Sequence, residues 1–313
     1  MAPWQRPGRN PGKAPGREKP RFLRPNEFAA ALEFCHAAGP DGVLAGARLH
    51  EMATGAVPGG EVLVWPKAGR AVARPGAWWT PDIGRGDQIE ALCCCSASLM
   101  VVGATAEHGA GFGRVLRPRG RRYSSLVGTA AGVLGMWEVL KDDWGQPRTL
   151  RPVQLLMAQA TPPLVAPDPR VRPATRAELD IVAPAAHAMF TEELGFPPGG
   201  PAGSHRAHVA RLIDQGNTLV RLSDAVPPPQ RVEFKADLGA IFGGWAQVHG
   251  VWVDPALRGR GLAKAGMAAV VEQGLARGLQ GLSLYVNDFN LAAVAAYRAV
   301  GFAVVGRWAT VML

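Results

Sequence analysis

The sequence predicts a two-domain α/β protein, and three observations carry that reading. Its 313 residues exceed one ordinary domain and fall short of three. Strand-like and helix-like patterns alternate along the chain. A proline-rich stretch, Thr161-Pro-Pro-Leu-Val-Ala-Pro-Asp-Pro169, separates two parts of similar size, since proline disfavours helix and removes backbone donors. The expected organisation is a disordered basic tail over 1–21, an α/β domain over 22–160, a linker over 161–169 and a second α/β domain over 170–313.

In the first part, Glu27 to Ala38 reads as a helix with Phe28, Leu32 and Cys35 on one face, and Val43 to Ala53 as a second helix. Glu61-Val-Leu-Val-Trp65 and Ser98-Leu-Met-Val-Val102 read as buried strands. Ser124 to Val127 is a short strand, Thr129 to Leu140 a helix closed by Asp142, Asp143 and Gly145, and Leu150 to Ala158 a strand. Gly109-Ala-Gly-Phe-Gly113 has no strand immediately before it and reads as a loop or poor helix, not as a cofactor loop.

The second part repeats a similar order. A short strand near Arg170 to Arg172 precedes a helix whose capping box is Thr175 with Glu178. A helix over His205 to Gln215 leads to strands at Asn217–Leu222, Arg231–Leu238 and Gln247–Val253, with Pro227-Pro-Pro229 as a hairpin loop. A helix from Leu262 to Arg277, a strand Ser283–Val286, a helix Leu291–Val300 and a strand Val304–Val311 complete it. The shared order suggests a distant duplication, although the residues themselves show no self-similarity.

Charge and cysteine content exclude several function classes. Residues 1–24 hold Arg6, Arg9, Lys13, Arg17, Lys19, Arg21 and Arg24 against Glu18 alone, which is six of the nine excess positive charges. The body is near neutral, so no nucleic-acid partner is expected. Cys93, Cys94 and Cys95 are consecutive, and neighbours on a strand face opposite ways, so they do not converge on one metal. No metal is expected. No stretch is long and apolar enough to span a bilayer, and the N-terminus lacks the apolar core of a signal peptide; a cytoplasmic protein with no membrane partner is expected.

The chemistry concentrates after Gln247. A strand ends at Asp254-Pro255, and Arg258-Gly259-Arg260-Gly261-Leu262-Ala263 turns into a helix. Glycines there let successive amides point into one concavity at the positive end of a helix dipole, which suits a pyrophosphate. One strand later comes Asn290-Leu-Ala-Ala293-Val-Ala-Ala-Tyr297-Arg-Ala-Val-Gly301-Phe302. Together these resemble the GNAT superfamily, whose members move an acyl group from acyl-CoA to an amine: its Gln/Arg-x-x-Gly-x-Gly/Ala loop matches Arg258, Gly261 and Ala263, and its Asn-x-x-Ala-x-x-x-Tyr-x-x-x-Gly-Phe ending matches 290–302. Met189–Gly195, Phe234–Gly239, Gly250–Val253, Ser283–Asn290, Tyr123–Gly128 and the Trp137 to Trp144 region further resemble a GNAT subfamily with an N-terminal domain of unknown function.

The resemblance implies a mixed, mostly antiparallel sheet flanked by helices for the second domain, and a degenerate GNAT-like fold for the first. It implies acetyl-CoA as co-substrate, its pantetheine arm against the backbone of Val251, Trp252 and Val253, and its pyrophosphate on the amides of Arg258 to Ala263. Asn287, Asn290 and Ala293 would flank the pantetheine, and Tyr297 would sit near the sulfur, where its proton can go to the departing thiolate.

The base stays open between two readings. Alternation puts Gln247, His249 and Val251 on one face, and His249 is the one of the first two that titrates near neutrality. Glu192 and Glu193 lie between the first two helices of the second domain, which in this fold close over the substrate. The expected activity is direct transfer in a ternary complex to a primary amine of small-molecule or protein origin. A non-catalytic acyl-CoA sensor is the alternative; an interaction protein gripping by its basic tail and an aminoacyl transferase are further rivals. The sequence leaves the acceptor and the oligomeric state open.

Overall fold

The computed structural model describes residues 19–57, 60–67, 89–199, 203–224 and 231–313. The first half runs β1 (Arg21–Phe22), α1 (Phe28–Ala37), α2 (Val43–Ala53), β2 (Glu61–Pro66), β3 (Ile89–Cys95), β4 (Ser98–Val102), α3 (Ala106–Leu116), β5 (Ser125–Thr129), α4 (Ala130–Trp144) and β6 (Thr149–Gln159). The second runs β7 (Arg172–Pro173), α5 (Leu179–Leu194), α6 (Ser204–Asp214), β8 (Thr218–Leu222), β9 (Val232–Phe242), β10 (Trp245–Val253), α7 (Leu262–Ala276), β11 (Gly281–Asn287), α8 (Leu291–Val300) and β12 (Ala303–Met312). Element for element the two orders coincide, as a duplication requires. The Thr175 capping box forms as expected, with the Thr175 amide 2.8 Å from the Glu178 carboxylate.

Several readings shift. Gly109 to Gly113 lie inside helix α3, not in a loop. The glycines serve packing: a Cβ on Gly109 would fall 1.9 Å from the Gly132 carbonyl oxygen of α4, so the two helices approach almost backbone to backbone. Thr105 starts α3 through a reciprocal cap with His108, which offsets the poor intrinsic propensity of glycine. Strand β3 carries the cysteine triplet, and alternation sends Cys93 and Cys95 into one core layer and Cys94 into another. Burial pushes the Cys35 thiol, beside Cys94 in that second layer, up to about 12. Arg21, assigned to the tail, pairs with Val64 and holds Glu27 at 2.8 Å. The rest of the tail, 1–18, and the hairpin loop at Pro227–Pro229 lie outside the described residues.

The twelve strands of the described residues form one sheet in the order β1-β2-β3-β4-β5-β12-β6-β11-β10-β9-β8-β7. The two halves exchange strands at its centre. β6, from the first half, lies between β11 and β12, pairing with six residues of β11 and eight of β12. β12, from the second half, lies between β5 and β6. Each half thus fills an empty slot in its sheet with the last strand of the other. The parallel pairs, β4·β5 and β10·β11, stand at matching places on either side of this exchange. α3 and α4 cover one face of the first half around Phe112, Leu116 and Trp137; α7 and α8 cover the same face of the second around Met267, Val270 and Val300. The opposite face takes α1 and α2 in the first half and α5 and α6 in the second.

Removal of one partner strand would leave two long edges of unpaired amides and carbonyls. Residues 170–313 expressed alone are therefore expected to give no cooperative unfolding transition by circular dichroism. Cleavage within 161–169 of the intact chain should leave the two halves co-eluting on gel filtration.

Candidate functional site

The site begins where β10 leaves β11. The two strands pair only through Trp245, Ala246 and Gln247, opposite Gly281, Leu282 and Ser283. From Val248 onward β10 has no partner on that side among the described residues, so the backbone of Val251, Trp252 and Val253 lines an open cleft. On its other side β10 pairs with β9 through two register shifts, after Gln247 and between His249 and Trp252. Gly250 sits in the second with φ +57°, a conformation that strains any residue with a side chain. Its carbonyl accepts from Lys235 Nζ at 3.1 Å, and Lys235, fully buried, is ion-paired to Asp237. A buried ammonium therefore pins the bulge that turns β10 away from β11.

The mouth of the cleft is the turn into α7. Gly259 and Gly261 have φ of +77° and +82°, and a Cβ on either would meet open space. None of the amides from Gly259 to Ala263 has an acceptor among the described residues, and the first turn of α7 carries no acid. Such a set of free N–H groups at a helix N-terminus fits a pyrophosphate. Arg258 is less free than its place in the motif suggests. Its guanidinium binds Glu192 at 2.6 Å and the Val253 carbonyl at 3.1 Å, which ties the end of α5 to the loop. Glu192 also accepts from Trp252 Nε1 at 3.3 Å. Arg260 is exposed.

On the far wall, Asn290 is the N-cap of α8 and accepts from the Ala293 amide at 3.2 Å, so its oxygen has a structural task. Asn287 Oδ1 accepts from Gln154 Nε2 at 3.0 Å, a residue of the exchanged strand β6. Tyr297 is buried against Phe302, and its hydroxyl has no protein partner among the described residues. Burial, with the Glu193 carboxylate adding, raises its pKa well above the ordinary tyrosine value, so it keeps its proton at neutral pH. Tyr285 on β11 is pushed up to about 12 by the same two causes. Glu193 therefore lies within electrostatic reach of both rings.

His249 accounts for Gly239. A Cβ on Gly239 would come 2.1 Å from His249 Nδ1, so the imidazole occupies the place where a β9 side chain would stand. His249 Nε2 lies 3.0 Å from Gln247 Oε1. Protein surrounds the half-buried residue, and this desolvation drives its pKa down to about 4. Gln247, fully buried, leaves its Nε2 without a partner among the described residues.

The structure thus brings Tyr297 and Glu193 within electrostatic reach of one another, and Glu192 to the turn before α7. Residues outside the sequence reading also converge: Tyr285, Lys235, Gln154 and Arg151. Arg151, on β6, is buried and binds both the Glu193 carboxylate at 3.2 Å and the Glu193 carbonyl. No local motif marks Arg151 or Gln154, because their strand belongs to the other half of the chain.

Two tests follow from His249. Gly239→Ala should displace the imidazole and lower the melting temperature, because the added Cβ would stand 2.1 Å from His249 Nδ1. Because the folded pKa lies below the unfolded one, stability is fully present above about 6.5 and falls as pH drops from there through about 4. His205 and His208, also lowered mainly by burial, act in the same direction. The acid limb of a melting-temperature profile should flatten in His249→Gln.

Among known proteins, residues 204–302 match the family model described as Acetyltransferase (GNAT) family, and residues 76–182 match the Domain of unknown function (DUF4081). No curated protein matches the chain. Solved structures share the fold at low identity. A GCN5-related N-acetyltransferase from Sphaerobacter thermophilus superposes with a TM-score of 0.56 at 16% identity, covering 96% of both chains. An acetyltransferase from the GNAT family of Colwellia psychrerythraea gives 0.52 at 13% identity, covering 94% of this chain and 99% of its own. The C-terminal part of the chain thus matches the GNAT-family model, and the segment ahead of it matches DUF4081.

Proposed function

We propose that the protein transfers an acetyl group from acetyl-CoA to an amine, both held in the one cleft between β10 and β11. The observation that carries this is the coincidence of an unpaired β10 edge with five partnerless amides at the start of α7. The edge would add the pantetheine amides as a further strand, and the amides would hold the pyrophosphate. When bound, acetyl-CoA supplies the activated acyl carbon. The chain's own residues orient the amine against it and manage protons. Orientation of two reactants in one site supplies about 7 kcal/mol or more of barrier reduction when geometry is ideal.

Tyr297 is the proton donor to the leaving sulfur: it is protonated, buried, and offers an uncommitted hydroxyl. His249 is kept neutral by burial. An imidazole of such low basicity does not strip an ammonium ion; it takes the proton of a nitrogen made acidic by acylation. Glu192 and Glu193 act less well as free bases, since each is committed to an arginine. That commitment, with the weak basicity of His249, is also what the sensor alternative would show.

CoA release measured with acetyl-CoA and a mixed amine set, alongside calorimetric binding of acetyl-CoA, separates the two. Turnover that drops about 10²-fold in Tyr297→Phe with acetyl-CoA binding intact supports the transferase. Binding without release for every amine favours the sensor. Gly261→Val should abolish binding in either case, because valine strains a φ of +82° at the phosphate loop.

A further inference from the structure

Resting on that reading, the charge arrangement around the cleft points to the class of acceptor. Every carboxylate on α5, α6, β9 and β10 is already paired with a cation. Asp180 pairs with Arg206, Glu192 with Arg258, Glu193 with Arg151, Asp214 with Arg176, Glu233 with Arg221 and Asp237 with Lys235. Five of these cations come from the second half itself. Arg151 does not: it arrives on the exchanged strand β6, with its side chain 8% exposed, and takes Glu193, the carboxylate that senses Tyr285 and Tyr297.

We propose that Arg151 is a specificity-determining residue: it neutralises Glu193 and thereby reserves the cleft for amines that arrive uncharged, such as an α-amino group, over alkyl di- and polyamines. A cationic acceptor gains affinity from an unpaired carboxylate close to its ammonium. This wall offers none. The imidazoles of His205, His208 and His249 have lowered pKa values, chiefly through desolvation, and give no compensating charge. An α-amino group with a pKa of about 8 is roughly one-quarter to one-third neutral near pH 7.5, whereas an alkylamine near 10.4 is neutral in about one molecule per thousand. A wall without a spare carboxylate and without a strong base favours the first kind. The N-terminal half then has a task in catalysis: it supplies the charge that closes this wall to cations.

The test uses the full chain, acetyl-CoA and two probe amines, alaninamide and 1,4-diaminobutane, compared by kcat/KM at one pH. Wild type is expected to favour alaninamide. Arg151→Gln frees Glu193 and should move the ratio toward the diamine by about five- to tenfold, mainly through its KM, with the KM for acetyl-CoA unchanged. Arg151→Lys keeps the charge and should keep the wild-type ratio. A purely structural role would lower both activities together and leave the ratio alone.

Wild type preferring the diamine overturns the proposal, as does a folded Arg151→Gln with an unmoved ratio. If Arg151→Gln fails to fold, Glu193→Gln decides. Loss of the diamine activity alone would show that Glu193 recruits cations despite Arg151, and would overturn the proposal; an unchanged ratio supports it. No release with either amine or the wider set, while acetyl-CoA still binds, sinks the transferase reading and this inference with it. Turnover that favours the diamine sinks this inference alone.

Discussion

The arrangement depends on the antiparallel pairing of β6 with β12, two strands that each belong to one half by sequence and complete the other by position. At its centre Trp308 lies opposite Gln154. The Thr310 hydroxyl donates to Gln154 Oε1 at 2.6 Å, and Gln154 Nε2 donates to Asn287 Oδ1, so a buried polar chain crosses three strands from both halves. Such a chain tolerates one register: a slip of one residue would turn Gln154 to the other face and leave its partners unsatisfied. With that register fixed, Arg151 reaches Glu193 and Tyr285 packs on Trp308, ring centroids 5.1 Å apart.

The same topology gives opposite outcomes on the two sides of this exchange. In the first half β4 and β5 stay paired from Ser98 to Val101, opposite Ser125 to Gly128. The space beyond is closed by Asp41, just past α1, which accepts from the Gly103 amide, the Thr129 hydroxyl and the Trp308 indole. Thr129 occupies the place that Asn287 holds in the second half, each opposite a residue of the exchanged strands. Burial outweighs the three hydrogen bonds and raises the Asp41 carboxyl. The first half therefore fills with a polar plug the splay that the second half keeps open with the Gly250 bulge.

Most elements were legible in the sequence because their periodicity is strong: Val43–Ala53 and Leu291–Val300 match their expected bounds, and the glycine turn before α7 stands where the spacing put it. What the sequence could not convey is whatever depends on distance along the chain. Arg151 and Gln154 act some 40 and 130 residues from their partners, Glu193 and Asn287. The glycines of α3 read as a loop because propensity was the visible term and close helix packing the hidden one. Lys235 and Asp237, two apart on β9, carried no signal that the lysine would be fully buried and hold a carbonyl across to β10.

That lysine shows why the cleft is built around neutral groups. An ammonium taken wholly out of water is tolerated only where a carboxylate and further acceptors surround it, and removal of either partner would leave a buried charge uncompensated. Lys235, Asp237, Thr218 and the Gly250 carbonyl meet that condition together, with Thr218 donating to Asp237 at 2.8 Å. The pair consumes its own field, so His249 beside it gains no lasting charge partner, and desolvation prevails over the attraction of Asp237. Burial, rather than the ion pair, keeps the nearby imidazole uncharged. A stronger base at this position would require an unpaired carboxylate close by, and Lys235 could then no longer be held in place to shape the bulge.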